Sequence, residues 1–282
     1  MATRTKLAYV GRGTLNLMFV LTVVFGLQAL IRGRLSDTLG LISLCTAVVV
    51  SYVAGVRWIE RRQPIELLAG TGFKEFAGGL ALGLGLFTAV VLLLWMFGVY
   101  RWLGWGSGAP LVGGLLFAVL TAIFEEIVFR GFFFRLTAKL LGTWGALALT
   151  SVLFGAAHSF NRGATVGSSL AIALEAGVLL GAAYALTQRL WLPIGLHVGW
   201  NFAEGAIFGM SVSGGTTKGS LITGTLSGRN LFTGGAFGPE ASIIAVVICL
   251  AAALFLLSRT VRLGRLEPPA WTGGAVLPHL PA

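Results

Sequence analysis

Eight apolar runs, each about as long as a bilayer crossing, limit this chain to one class of fold. They fall roughly at residues 15–30, 38–56, 78–100, 111–136, 146–160, 168–187, 192–210 and 241–257. About 20 apolar residues span the hydrocarbon core as a helix, because a helix satisfies every backbone group internally. Only 11% of the residues are charged, against about 25% in soluble domains. The sequence therefore predicts an all-α, polytopic membrane protein of about eight transmembrane helices. One membrane domain covers 1–267, and 268–282, rich in Pro and Gly without periodicity, reads as a disordered cytoplasmic tail. The first run follows Arg4, Lys6 and Arg12 as a signal peptide would. Arg32 and Arg34 follow it directly without a small-residue cleavage site, so it is expected to stay as a helix.

The formal net charge is +10. The cations lie between apolar runs rather than in one patch, which argues against a nucleic-acid partner and fits anchors beside anionic lipid. Summed over alternate connections, 13 fall on the side of the termini: Arg4, Lys6, Arg12, Arg57, Arg61, Arg62, Lys74, Arg135, Lys139, Arg189, Arg259, Arg262 and Arg265. The other side carries 6: Arg32, Arg34, Arg101, Arg162, Lys218 and Arg229. The positive-inside rule then predicts a multi-pass protein of the cell membrane with both termini cytoplasmic. Residues 211–239, rich in Gly, Ser and Thr, become a long extracytoplasmic loop, partly re-entrant at most. Cys45 and Cys249 fall inside spans and read as small buried hydrophobes, with no disulfide framework. Gly79/Gly83, Gly177/Gly181 and Gly195/Gly199 have the spacing that lets membrane helices approach, although it arises readily among 41 glycines.

Charge inside the fourth run is harder to accommodate. Glu125, Glu126 and Arg130 stand there in EEIVFR, and a charge at bilayer depth costs on the order of 3 kcal/mol, so such residues usually serve function. On a helix Glu126 and Arg130 share a face and can pair. Glu125 is turned about 100° away and serves other neighbours. If the fourth and fifth runs form a hairpin turning near 141–144, Glu125 and His158 both lie about 20–25 Å from the turn, and His158 can face Glu125. His197 and Asn201 again share one face, in the seventh run. By residue counting His197 lies shallower than Glu125, which a tilt or break near Pro193 would reconcile. A lone membrane His or Asn more often makes a helix–helix hydrogen bond, and Glu175 and Glu204 are read that way. A carboxylate facing an imidazole, however, can deprotonate a water and return the proton to a leaving amine. A second imidazole and a side-chain amide suit a developing oxyanion.

EEIVFR, then FGAAH ending at His158, then HVGWN from His197 to Asn201, resemble the three ordered motifs of the CPBP family. These are the CAAX-prenyl-protease and bacteriocin-processing membrane proteins, and the matching core is 111–210. The resemblance implies an eight-helix intramembrane glutamic peptidase with helices around a catalytic cavity. In it Glu125 and His158 activate water, His197 and Asn201 stabilise the oxyanion, and Glu126 and Arg130 support them. It implies no cofactor; zinc on Glu and two His ranks second, and no HExxH is present. The stretch FTGGAFGPE from Phe232 is similar to segments in some bacterial members, without an evident role. The expected partners are the lipid bilayer and a peptide or membrane-protein substrate of open identity; the oligomeric state is open. Two other readings remain. One is a silent scaffold or immunity protein. The other is a channel or transporter, since the glycine loops at 106–110 and 234–240 resemble chloride-channel loops.

Overall fold

The computed structural model describes residues 2–108, 111–216 and 219–272. The helices are α1 (Ala2–Ile31), α2 (Asp37–Trp58), α3 (Gly72–Met96), α4 (Leu111–Glu126), α5 (Arg135–His158), α6 (Val166–Ile172), α7 (Val178–Thr187), α8 (Trp191–Asn201), α9 (Asn230–Thr233) and α10 (Ile243–Arg262). Among the described residues, six helical stretches are long and apolar enough to cross a membrane, where the sequence led to an expectation of eight. The fourth and fifth runs form one apolar helical stretch of 48 residues, Leu111–His158, that folds back on itself into two arms. It turns at Gly142, whose φ of 73° and ψ of 175° are non-helical. The seventh run is α8, 11 residues, continued by a 6-residue π-helical segment, and is short for a crossing. The all-α reading stands. Side chains such as Phe25, Trp95, Val247, Leu254 and Phe255 are exposed on long helices, as lipid contact requires.

Two glycine pairs meet face to face. A Cβ at Gly79 or Gly83 would run into the α8 backbone at Leu192 and Leu196, and one at Gly195 or Gly199 into the α3 backbone at Phe76 and Leu80. Helices α3 and α8 thus touch backbone to backbone, which fixes α8, the carrier of His197 and Asn201.

At one end a buried ionic knot ties three segments together. Arg135 Nη1 and Nη2 bind Glu60 Oε2 and Oε1 at 2.8 Å, Arg62 Nε binds Glu60 at 2.8 Å, and Asn16 Nδ2 donates to Glu60 at 2.7 Å. Burial alone would push the Glu60 carboxyl up, but Arg135 and Arg62 outweigh it and hold it below the ordinary carboxylate range. At the same end Lys139 pairs with Glu267 at 2.9 Å and Arg189 with Glu75 at 3.0 Å.

The opposite end carries an antiparallel pair, β1 (Tyr100–Trp105) and β2 (Ile222–Leu226), that the sequence did not suggest. Tyr100 belongs to β1 and not to the third helix, because Gly98, at φ 70°, ends α3 first. The expected loop 211–239 is ordered where described: it contains β2 and α9 and folds back over the helices. Asn161 Nδ2 donates to Ser213 O at 3.1 Å, and Gly214 N–H donates to Phe237 O at 2.7 Å. Of the expected tail, Ala270–Thr272 form one 3-10 turn, and 273–282 lie outside the described residues.

Candidate active site

The hairpin at Gly142 sets Glu125 and His158 at one depth, as residue counting anticipated. Glu125 Oε2 lies 3.9 Å from His158 Nε2, beyond a direct hydrogen bond and within reach of one shared water. His158 is held from behind, its Nδ1 lying 2.8 Å from Phe154 O. A carbonyl only accepts, so Nδ1 carries the proton and Nε2 faces Glu125. The Phe154 ring stacks on the same imidazole, with centroids 4.6 Å apart. Both elements of FxxxH therefore act on one ring, since residues four apart share a helix face.

The second acid does more than neutralise its arginine. Glu126 Oε1 accepts from Arg130 Nη1 at 2.8 Å and from His197 Nδ1 at 2.9 Å. Glu126 and Arg130 are 0% and 1% exposed. Arg130 Nη2 also donates to Ala176 O and Gly177 O at 3.3 Å, and its guanidinium lies 4.7 Å over the Phe154 ring. Glu126 thus orients His197 and leaves Nε2 of that ring for the cavity. The bond to His197 was not legible from spacing, because counting placed that residue shallower. Pairing across α4 and α8 shows the two depths do coincide.

Two of the three motifs run into a π-helical stretch, and a third such stretch holds Glu175. Ile127–Phe134 follows Glu126, Ala173–Gly177 contains Glu175, and Phe202–Ile207 follows Asn201 and contains Glu204. Such bulges re-aim side chains and recur at functional sites.

All four residues expected to carry chemistry line one cavity of about 320 Å³. Glu125, His158, His197 and Asn201 form its inner wall, and Arg162 with the Val212–Gly215 turn forms its rim. A smaller pocket adjoins it, lined by His158, His197 and Asn201 and by Glu175, Ser213 and Glu240. Ser213 and Glu240 were missed by motif reading; an acid closing a glycine-rich run was the available signal. Among the described residues, no three His, Cys, Asp or Glu side chains are grouped so as to hold a metal ion. In the glycine loops that suggested an anion path, three backbone donors are occupied. Gly106 N–H binds Leu221 O, Gly108 N–H binds Ser220 O, and Gly234 N–H binds Asn230 O.

Fold and site together define a polytopic membrane protein with a carboxylate–imidazole pair set against a second imidazole and an amide. Residues 107–203, which carry all three motifs, match the family model for Type II CAAX prenyl endopeptidase Rce1-like. That family implies a peptidase acting on a peptide or protein substrate in a membrane. No curated protein and no solved structure gives a significant match to the chain.

Proposed function

We propose that this protein is an intramembrane endopeptidase of the glutamic type, hydrolysing a peptide bond of a membrane-associated or peptide substrate without a metal. The supporting observation is the 3.9 Å gap between Glu125 Oε2 and His158 Nε2, opening on the cavity that His197 and Asn201 share. A water in that gap gives a proton to Glu125 while its oxygen attacks the substrate carbonyl carbon. The carbonyl oxygen becomes an oxyanion, received by Asn201 Nδ2–H and by Nε2–H of the His197 imidazolium. The proton then passes from Glu125 to the leaving nitrogen as the C–N bond breaks.

Asn201→Ala tests the oxyanion role. Peptide cleavage by purified protein in liposomes, followed by mass spectrometry, should show kcat reduced by about 10²–10³, with KM changed far less. Cleavage unaffected by this change would refute the role, and ion flux without cleavage would favour transport. The same preparation should keep its rate in strong chelators. Loss restored by added zinc would make these side chains ligands instead.

We further propose a cell-membrane orientation with both termini cytoplasmic. The ionic knot gathers Arg62 and Arg135 at the cation-rich end, while Arg162 and Val212–Gly215 rim the cavity at the cation-poor end. Substrate then enters from the extracytoplasmic half. In intact cells, cysteine at exposed Arg229 should react with an impermeant thiol reagent, and cysteine at Arg262 should not. The reverse pattern inverts the topology.

A further inference from the structure

The FTGGAFGPE stretch has no part in the chemistry above, yet its last residue ends inside the site. Glu240 is 2% exposed and lines the smaller pocket beside His158, His197 and Asn201. Its carboxyl faces the Glu204 carboxyl on the π-helical extension of α8 and the Ser213 side chain and backbone, with His158 of α5 within electrostatic reach. Glu175, on the π segment before α7, and Cys249 of α10 approach it from the other sides. Glu204 is 0% exposed, and a Cβ at Gly238 would stand 3.5 Å from its Oε1. Among the described residues no Lys or Arg forms an ion pair with Glu175, Glu204 or Glu240. Two facing carboxyls this deeply buried would repel if both ionised, and sharing one proton would relieve that repulsion.

What this pair fastens is the turn at the cavity rim. Ser213 has φ 47°, a left-handed conformation that a non-glycine residue adopts only when its surroundings impose it. Its carbonyl accepts from Asn161, and it lines both cavities. Glycine is obligatory beside it: at Gly214, φ 80°, a Cβ would collide with Arg162 O, and at Gly238, φ 128°, with Ser211 O. The loop is thus closely fitted, and Glu240 at its end meets Glu204, on the segment that continues the helix carrying His197 and Asn201.

We propose that Glu240 is a positioning residue for peptide-bond cleavage: one proton shared with Glu204 clamps the loop to the catalytic helix and sets Ser213 over His158 and Asn201. The proposal rests on the peptidase reading and assigns a role outside the family-matched segment 107–203.

The test compares Glu240→Ala and Glu240→Gln with the unaltered protein in liposomes, reading cleavage against pH and amide hydrogen exchange of residues 211–240. Alanine leaves Glu204 facing a void, so exchange protection at Gly214 should fall. Displacement on the scale of an ångström should lower kcat about 10²-fold, with KM nearly unchanged. Glutamine should restore protection and most of the rate, because its amide donates to Glu204 whether or not that group is ionised. The unaltered pair loses its shared proton as pH rises and then repels, which contributes an alkaline limb to the rate. In Glu240→Gln that limb should be lost, a change that a purely structural role would not produce. Full activity in Glu240→Ala, or a Glu240→Gln profile superimposable on the unaltered one, overturns the proposal. If exchange responds as stated while no cleavage is found at all, the clamp stands and the peptidase reading fails. Unchanged exchange beside intact cleavage removes the clamp alone.

Discussion

Glu125→Gln should leave the protein folded and bring cleavage almost to a stop. The amide is isosteric, and the native carboxylate has little structural work to lose. Its side chain is 25% exposed, and its closest ionic neighbour, His158, stands 3.9 Å away, too far for a direct bond. An amide cannot take a proton from water at neutral pH, so the general-base contribution disappears. That contribution is typically 10²–10⁴ in rate. The thermal midpoint in detergent should stay where it was. His158→Ala should give a comparable loss, and the double variant should be little worse than either single one, because the two groups act on one water. A folded Glu125→Gln protein cleaving at the original rate would remove the glutamic mechanism outright.

How much of this could be read beforehand depended on whether the signal was local. Glu126–Arg130 and His197–Asn201 are four apart, and helical geometry alone puts each pair on one face. The Glu125–His158 meeting needed one further assumption, a hairpin near 141–144, and Gly142 supplies it with a left-handed φ of 73°. The glycine pairs were visible only as spacing, since nothing in the sequence shows that Gly79 and Gly83 face Gly195 and Gly199 across two helices. Contacts between distant segments were out of reach. The β1–β2 pairing joins residues more than a hundred positions apart, and the Glu126–His197 bond joins residues 71 apart on two different helices. Glu204 and Glu240 stand 36 positions apart, and no helical period links them. What read as a long extracytoplasmic loop at 211–239 is, where described, closely packed with glycines at 214, 234 and 238 at positive φ, and composition alone cannot tell such glycines from flexible ones.

Glu126→Gln should fail in a different way, losing stability and activity together. In the native site one carboxylate oxygen receives both Arg130 Nη1 and His197 Nδ1, at 2.8 and 2.9 Å, with Glu126 wholly buried. The substitution removes the negative charge and leaves the Arg130 guanidinium, 1% exposed, without its direct counter-ion. Breaking a buried ion pair from one side costs about 3–5 kcal/mol, a large part of the roughly 5–15 kcal/mol that holds a typical fold. The thermal midpoint should therefore drop well below that of Glu125→Gln. Activity should fall as well, because His197 loses the acceptor that fixes its ring. These two effects can be separated. Adding Arg130→Met removes the stranded cation, and replacing both members of a buried pair by groups that carry no charge is often close to neutral. Glu126→Gln with Arg130→Met should thus recover much of the lost stability while cleavage stays low, since nothing returns a carboxylate to His197 Nδ1. Recovery of cleavage along with stability would mean that Glu126 serves only to neutralise Arg130. A single Glu126→Gln variant as stable as the unaltered protein would show that the guanidinium finds enough compensation in the Ala176 and Gly177 carbonyls, and that the pair is not what holds α4 in register.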